Sequence, residues 1–420
     1  MIAKPIDLIS HYRFDVIIKY LYARAMVNKY QCSFFENAYK EHLRVWNNFI
    51  EYDNPSKNSF EAFNLEFKKI ISSFLDQGFL SNKSQIPVHQ GKYILNGSHR
   101  LAAALACDAD VFTKTGIPVV DGQLDCSYKM FQKLNLGLQY FDVASIEYAK
   151  LKKNSYLIFI FPSAVGLRSE LESIIHKNGN IFYQKEIELN ENGSLNLIKE
   201  LYLGEPWGGN EFNNFLGFRN KHALCFTNAS PLKVYLVDFD CLQRSVNTKK
   251  EIRNLYKIGN HCVHINDTHD ETVRLAKTVF NNNSLHHLNN SKTANYKVFN
   301  QCLRSFKNKI NELELDIDDY CVTASSALSA YGLREGDDLD YLHSNPTLIP
   351  DSTNLIHSHN DYGVGKYHLK RDDIIHNPDN HFYYRGVKFA SLEVIKKLKQ
   401  HRGEDKDYRD IKLIDSVLKK

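Results

Sequence analysis

Cys321-Val-Thr-Ala-Ser-Ser-Ala-Leu-Ser-Ala-Tyr-Gly-Leu-Arg-Glu-Gly-Asp-Asp-Leu-Asp-Tyr-Leu342 is the stretch on which the reading of this chain turns. Asp338 and Asp340 flank a single leucine. On a β-strand successive side chains alternate, so both carboxylates would face one side while Leu339 and Tyr341 enter a core. Two hard oxygen ligands side by side suit one or two magnesium ions that bridge triphosphate oxygens. Upstream, the small pair Ser325-Ser326 leaves room for backbone N–H groups and a hydroxyl to approach a phosphate. A lone D-x-D is more often a solvated loop than a metal site. Joined to a small pair and set among apolar residues, it points to phosphate chemistry with Asp338 and Asp340 as metal ligands.

Further on, Phe389, Leu392 and Glu393 lead into Lys399-x-x-Arg402-x-x-x-Lys406-Asp407-x-x-Asp410-Ile411. On one helix, positions 399, 402, 406 and 410 share a face, so the basic groups could meet phosphates while Asp407 and Asp410 orient them. The plainer alternative is an exposed ion-pair face.

These two motifs together resemble the DNA polymerase β-like nucleotidyltransferase superfamily, whose signature is a Gly-Ser pair followed by an alternating acidic pair on a strand. Here Ser325 stands where glycine is usual. The resemblance covers roughly the last 120 residues and implies Mg2+ and a nucleoside triphosphate substrate. It also implies that Ser325 and Ser326 hold a terminal phosphate and that Lys399, Arg402 and Asp407 bind the nucleotide. A third acid from a later strand should complete such a site, and Asp373 in Arg371-Asp372-Asp373-Ile374-Ile375 is the candidate, with Asp361 behind it.

The 420 residues suit two or three domains. Hydrophobic residues at 43% and charged residues at 24% are globular values, and a net charge of +4 gives no compositional argument for a nucleic-acid partner. No basic stripe is interleaved with aromatics, so no nucleic acid is expected. The eight cysteines include no C-x-x-C pair and no zinc spacing, which predicts reduced thiols in a reducing compartment. Charged residues from Lys4 to Asp15 interrupt any signal peptide, and the apolar run Tyr156 to Leu167 is too short to span a bilayer. A cytoplasmic location is expected.

Apolar periodicity predicts helices through residues 6 to 78, with Ile9, Phe14, Ile17, Ile18 and Leu21 on one stripe. A second stripe runs through Phe60, Phe63, Phe67, Ile70, Ile71 and Phe74. Ile86 to Leu95 reads as β, and Tyr156 to Phe161, ended by Pro162, reads as a buried strand. The polar stretch Asn281 to Lys297 reads as a linker. The expected class is α+β in three domains, 1–150, 151–290 and 291–420.

Residues 250–273 include Ile252-Arg253, a strand-like segment ending at His264, and Asp267-Thr268 before a helix. This arrangement resembles the late part of a nucleoside diphosphate kinase, a ferredoxin-like α+β domain, in which the matching histidine is phosphorylated and the arginine binds phosphate. That role falls on His264 and Arg253. Phe161-Pro162-Ser163 replaces the family's K-P-D, and His261 replaces its asparagine. The expected domain is therefore a kinase relative with lost or altered activity. The plainer reading of His264 is a satisfied strand-end histidine.

Tyr93-Ile-Leu-Asn96-Gly97-Ser98-His99-Arg100-Leu-Ala-Ala-Ala-Leu105 sets a glycine turn and a His-Arg pair at the start of an Ala-rich helix. Free N–H groups with an adjacent arginine form an anion site. The segment resembles the G-x-H-R box of ParB and sulfiredoxin-like domains, some of which bind ATP or other nucleotides. His99 and Arg100 are its candidate residues, while Asn96 replaces a common acid. The plainer reading is an Asn-Gly turn before a core helix.

All three resemblances concern phosphates or nucleotides. The leading expectation is a Mg2+-dependent transferase that moves a nucleotidyl or phosphoryl group onto a small-molecule or carbohydrate acceptor. The ensemble is similar to multi-domain proteins of microbial surface-polysaccharide gene clusters. The alternatives are an ATP-dependent small-molecule kinase centred on His99 and Arg100, and a non-catalytic nucleotide-binding scaffold.

Overall fold

The computed structural model describes the chain except residues 52–53, 79–84, 92, 117–124, 352, 362–364 and 420. The apolar stripes of the first part form α1 (Phe14–Val27), α2 (Ser33–Asn47) and α3 (Phe60–Gln77). The Ser59 hydroxyl caps α3 by accepting from the Ala62 N–H. A small sheet of order β1-β4-β2-β3 lies beside them, built from β1 (Ile2–Ala3), β2 (Ile86–His89), β3 (Tyr93–Ile94) and β4 (Val111–Lys114). The helices α4 (Ser98–Ala106), α5 (Tyr128–Lys133) and α6 (Leu138–Leu151) belong to the same part.

The middle part runs β5 (Ser155–Ile160), α7 (Arg168–Asn178), β6 (Gly179–Ile187), α8 (Glu191–Leu201) and α9 (Leu216–Cys225). It continues through β7 (Leu232–Phe239), α10 (Leu242–Tyr256), β8 (Val263–Ile265) and α11 (His269–Val279). The four strands form an antiparallel sheet of order β6-β7-β5-β8. Every residue of β5 is buried, as its unbroken apolar run requires. Thr268 and Glu271 form a capping box at the start of α11, in which each side chain accepts from the other residue's N–H.

No empty seam marks residue 150. Helix α1 feeds two cores: Val16, Tyr20 and Leu21 pack with α2 to α4, while Phe14, Ile17 and Ile18 join the core around the middle sheet. Phe14 lies 5.9 Å from Phe182 of β6, ring centre to ring centre.

The expected linker is replaced by packed structure. Residues 282–290 form α12 (Asn282–Asn290), capped by the Asn281 side chain. The Asn281 and Asn283 amides donate to the Pro378 carbonyl at 3.1 and 3.2 Å, and His287 contacts the Ala330 carbonyl at 2.9 Å. The polar composition that reads as a linker supplies hydrogen bonds to the backbone of the next part.

That last part comprises α13 (Lys297–Glu312), β9 (Tyr320–Thr323), α14 (Ser325–Ala330), β10 (Leu339–His343), β11 (Ile356–Ser358) and α15 (Arg371–His376). It ends with β12 (His381–Tyr384), β13 (Val387–Ala390), α16 (Leu392–Arg402) and α17 (Asp405–Leu418). Its mixed sheet has the order β11-β10-β9-β13-β12. The described residues are thus α+β with three separate sheets. Among the described residues no helix is long and apolar enough to cross a membrane.

One buried carboxylate ties the three parts together. Asp318, just before β9, lies 2.8 Å from Lys150 of α6 and 2.8 Å from Lys277 of α11. Its backbone carbonyl accepts from Lys388 of β13 at 2.6 Å. Burial pushes the Asp318 carboxyl upward, but Lys150, Lys277 and Lys388 outweigh it and hold it well below its ordinary value. Asp318→Asn should therefore cost about 3–5 kcal/mol in urea unfolding at neutral pH, because it removes the carboxylate that buried Lys277 pairs with. A carboxyl depressed in the folded state stabilises above its unfolded value and loses that effect as pH falls through the folded value. The wild-type and Asp318→Asn stabilities should accordingly converge only below about pH 4.

Candidate active site

The first wall of the C-terminal cleft starts at a sharp corner. Strand β9 ends at Ala324, whose φ of 50° and ψ of −132° lie in a region almost reserved for glycine. The corner turns the chain straight into α14 and sets Ser325 on the cleft. Ser326 does not share that exposure. It is 1% exposed, and its hydroxyl donates to the Asp338 carbonyl at 2.9 Å. The phosphate-holding role expected of Ser326 is therefore corrected to a structural one: it clips the loop that leads into β10. Ser329 adds a second clip, donating to the Arg334 carbonyl at 3.0 Å and accepting from the Gly336 N–H at 2.9 Å. A Cβ at Gly336 would lie 2.8 Å from the Ser325 hydroxyl, which would have to turn aside to admit it.

The clipped loop delivers Asp338 and Asp340 to the same cleft, while Leu339 and Tyr341 are buried in the core. Asp340 pairs with Thr323 on one side and with His357 of β11 on the other. Burial and the neighbouring Asp340 both raise the Asp338 carboxyl above its ordinary value. His359 Nε2 lies 3.0 Å from Asp340 Oδ1. His357 and His359 both line the cleft, and neither is among the residues that the D-x-D motif singles out. The signal for them was the H-x-H spacing of 357 and 359 in Leu355-Ile-His-Ser-His359.

The same cleft is also lined by cationic residues. The basic and acidic residues from 399 to 410 do not lie on one helix: α16 ends at Gly403, whose φ is +69°, and α17 starts two residues later. Gly403 permits the left-handed corner, and Glu404 and Asp407 cap the new helix reciprocally. Across this corner Asp407, fully buried, accepts from Arg402 Nε at 2.8 Å and lies 3.3 Å from Lys399 Nζ. Asp410 lies 2.6 Å from Lys399 Nζ and takes both arms of the Arg334 guanidinium at 2.6 and 2.7 Å. The two aspartates thus hold the basic wall in place. Lys399 is 2% exposed, with its ammonium clasped between the two aspartates, so it is already engaged where a direct phosphate contact was expected. Arg334, Arg402, Lys406 and Arg409 line the cleft, which encloses about 660 Å³.

The expected third acid is elsewhere. Asp373 lies on α15 beside Cys32 of the N-terminal part, and neither it nor the exposed Asp361 lines the cleft. The adjacent Asp372 accepts from the Gln31 N–H at 2.7 Å, so the acidic face of α15 holds α2's leading segment.

In the middle part, Arg253 and His264 do come together, lining a cleft of about 460 Å³ with Lys221 and Lys249. Burial and then Lys249 and Lys221 lower His264 to about 3, so its ring is neutral. Its Nε2 is buried without a hydrogen-bond partner. Ser163, in the place of the missing acid, donates to the His261 carbonyl at 2.6 Å.

At the N-terminal turn His99 and Arg100 diverge. His99 Nε2 contacts the Tyr39 hydroxyl at 2.9 Å, and the ring meets Phe67 edge-on at 4.8 Å. Burial, followed by Lys19 and Lys57, holds it well below the ordinary histidine value. Arg100 folds back over Gly97 and donates to the Gln85 carbonyl at 3.0 Å. Gly97, with a φ of +88°, is the one residue type that leaves room for it.

Among the described residues no three of His, Cys, Asp or Glu are grouped so as to hold a metal unaided. The two carboxylates suit a magnesium ion of another kind, one bound by one or two protein carboxylates with phosphate and water completing the shell. Removing one of the aspartates behind the basic wall should destabilise the fold. Asp407→Ala leaves Lys399 buried and half-paired, and should cost about 3–5 kcal/mol in denaturant unfolding; Lys406→Ala, at the exposed rim, should stay within about 0.5 kcal/mol. Set against known proteins, the chain matches no family model, no curated protein and no solved structure, so the reading of this cleft rests on its own geometry.

Proposed function

We propose that the C-terminal cleft transfers a nucleotidyl or phosphoryl group from a Mg2+-bound nucleoside triphosphate onto a small-molecule or carbohydrate acceptor. The observation that carries this reading is that one cleft is lined by both charges: Asp338 and Asp340 share it with Arg334, Arg402, Lys406 and Arg409. A polyphosphate with a divalent cation would satisfy both sets at once, the cation neutralising the carboxylates and the phosphate oxygens meeting the guanidinium groups.

When bound, the cation would neutralise phosphate charge and lower the pKa of an attacking hydroxyl. Asp338 and Asp340 would hold it. Ser325, which lines the cleft, would donate its hydroxyl to a phosphate oxygen. Arg402 and Arg334, fixed from behind by Asp407 and Asp410, offer donors that need no reorganisation as charge moves to the leaving group.

The scaffold reading retains one specific support. The cationic cleft around His264 suits an anion, while the enclosed Nε2 of its imidazole lacks open access to a phosphorus atom. A second, non-catalytic nucleotide site is the corresponding reading of the middle part.

With α-labelled and γ-labelled nucleoside triphosphates and a panel of hydroxyl acceptors, Asp338→Asn and Asp340→Asn should each lower turnover roughly a thousandfold. The thermal melt should stay near that of the wild type. The double change Lys406→Ala and Arg409→Ala should raise KM for the triphosphate about tenfold, with kcat less affected. Full turnover in both aspartate variants would remove this function.

A further inference from the structure

The middle cleft contains two basic side chains that the fold leaves without a counter-charge. Lys221 of α9 and Arg253 of α10 line it with Tyr202, Trp207 and His264. Lys221 is 7% exposed, and its Nζ donates to the Asn260 carbonyl at 2.6 Å. Among the described residues no carboxylate pairs with it, and the rings of Tyr202 and Phe161 lie 5.7 and 6.0 Å from the nitrogen. Arg253 is half-buried and its Nε is enclosed without a hydrogen-bond partner. Among the described residues its guanidinium has no carboxylate partner either. Of the acids in the cleft, Asp267 lies 3.1 Å from Lys249 and Glu271 caps α11, which leaves Glu205 at the exposed rim.

An ammonium buried without a carboxylate is destabilised by its own desolvation, and a nearby guanidinium adds repulsion. Burial and then Arg253 lower Lys221 from its ordinary value, against the pull of Cys225. Cys225 exerts that pull only as a thiolate, and burial pushes its thiol up to about 11, so at neutral pH it is uncharged. Burial raises the Cys262 thiol as well, while Lys249 on α10 and the neutral His264 on β8 add no negative charge. A lysine in such surroundings presents a free amine, which is a nucleophile.

The rest of the cleft describes the electrophile. An unpaired guanidinium calls for an anionic group. The rings of Tyr202 and Trp207, 5.0 Å apart, supply apolar walls. A Cβ at Gly208 would lie 2.0 Å from the Phe218 ring, so the loop that carries Trp207 is closely fitted to α9, the helix that carries Lys221. The enclosed space of about 460 Å³ admits a small metabolite.

We propose that Lys221 forms an imine with a small aldehyde or ketone that bears a carboxylate or phosphate, and that Arg253 binds the anionic group. The amine lone pair adds to the carbonyl carbon, and the C=O π pair moves to oxygen. A proton passes from nitrogen to that oxygen to give a carbinolamine. Water then leaves, made of the hydroxyl and the second nitrogen proton, and a C=N bond remains. No oxidant or further reactant is required. This site is separate from the C-terminal cleft and stands without its reading.

The full chain, at neutral pH, is incubated with pyruvate or glycolaldehyde phosphate, each beside its uncharged counterpart, acetone or glycolaldehyde. Adducts are fixed with cyanoborohydride and located by peptide mass spectrometry. Lys221 should be modified at least about tenfold faster than any other lysine. Its preference for the anionic member of each pair should exceed that of Nα-acetyllysine in solution, and Arg253→Ala should reduce it to that level. The larger of the two preferences identifies the anion as carboxylate or phosphate. In Lys221→Arg the dominant adduct should vanish. Labelling of wild-type Lys221 no faster than exposed lysines, or a preference for the anionic member that Arg253→Ala leaves intact, would overturn the proposal. Binding of ATP in the cleft with no adduct at Lys221 under any of these carbonyl compounds would overturn it too, in favour of a nucleotide as occupant.

Discussion

Burying a carboxylate costs several kcal/mol unless positive charge accompanies it, and Asp318 is accompanied by lysines from every part of the chain. Lys150 comes from the end of α6, Lys277 from α11 and Lys388 from β13. Burying this carboxylate with its lysines favours the one arrangement of the three parts that brings them together. The apolar cores allow this because α1 packs on two sides and α12 bridges the middle and last parts. Asp318 also immediately precedes β9, the strand that ends in the corner at Ala324. The same ion cluster that unites the parts therefore anchors the strand from which the cleft is built.

The cleft separates holding from contacting. Lys399, Asp407 and Asp410 form a nearly dry ion-pair group behind the basic wall, and Ser326 and Ser329 pin the loop before β10. Ser325, Asp338, Asp340, His359 and the outer arginines and lysines line the cleft. Among them Arg334 and Arg402 are fixed by Asp410 and Asp407. The N-terminal His99 and Arg100 show the reverse pattern. The ring of His99 is occupied by Tyr39, and Arg100 is occupied by its own turn and Gln85, so neither is directed at a shared ligand position.

Local pattern made much of this legible. Helices α1, α3 and α13 follow from apolar residues at helical spacing, and β5 follows from an unbroken apolar run bounded by proline. The common face of Asp338 and Asp340 follows from the strand period alone. The linker reading of 281–297 failed because asparagines that hydrogen-bond a neighbouring backbone have the same composition as asparagines in solvent. The single-helix reading of 399–410 failed because helical spacing continued numerically through Gly403, where the backbone turns left-handed.

What the sequence by itself determined is whatever depends on neighbours a few residues away: the α+β class, most helices and strands, and the alternation that puts two aspartates on one side. Tertiary structure alone decided which distant groups join them. His359 reaches Asp340 only because β11 pairs in parallel with β10, and Asp373 is diverted because α15 packs toward α2. The physical reason is that backbone periodicity fixes direction within an element, whereas strand pairing and helix docking are chosen by burial and charge across the whole chain.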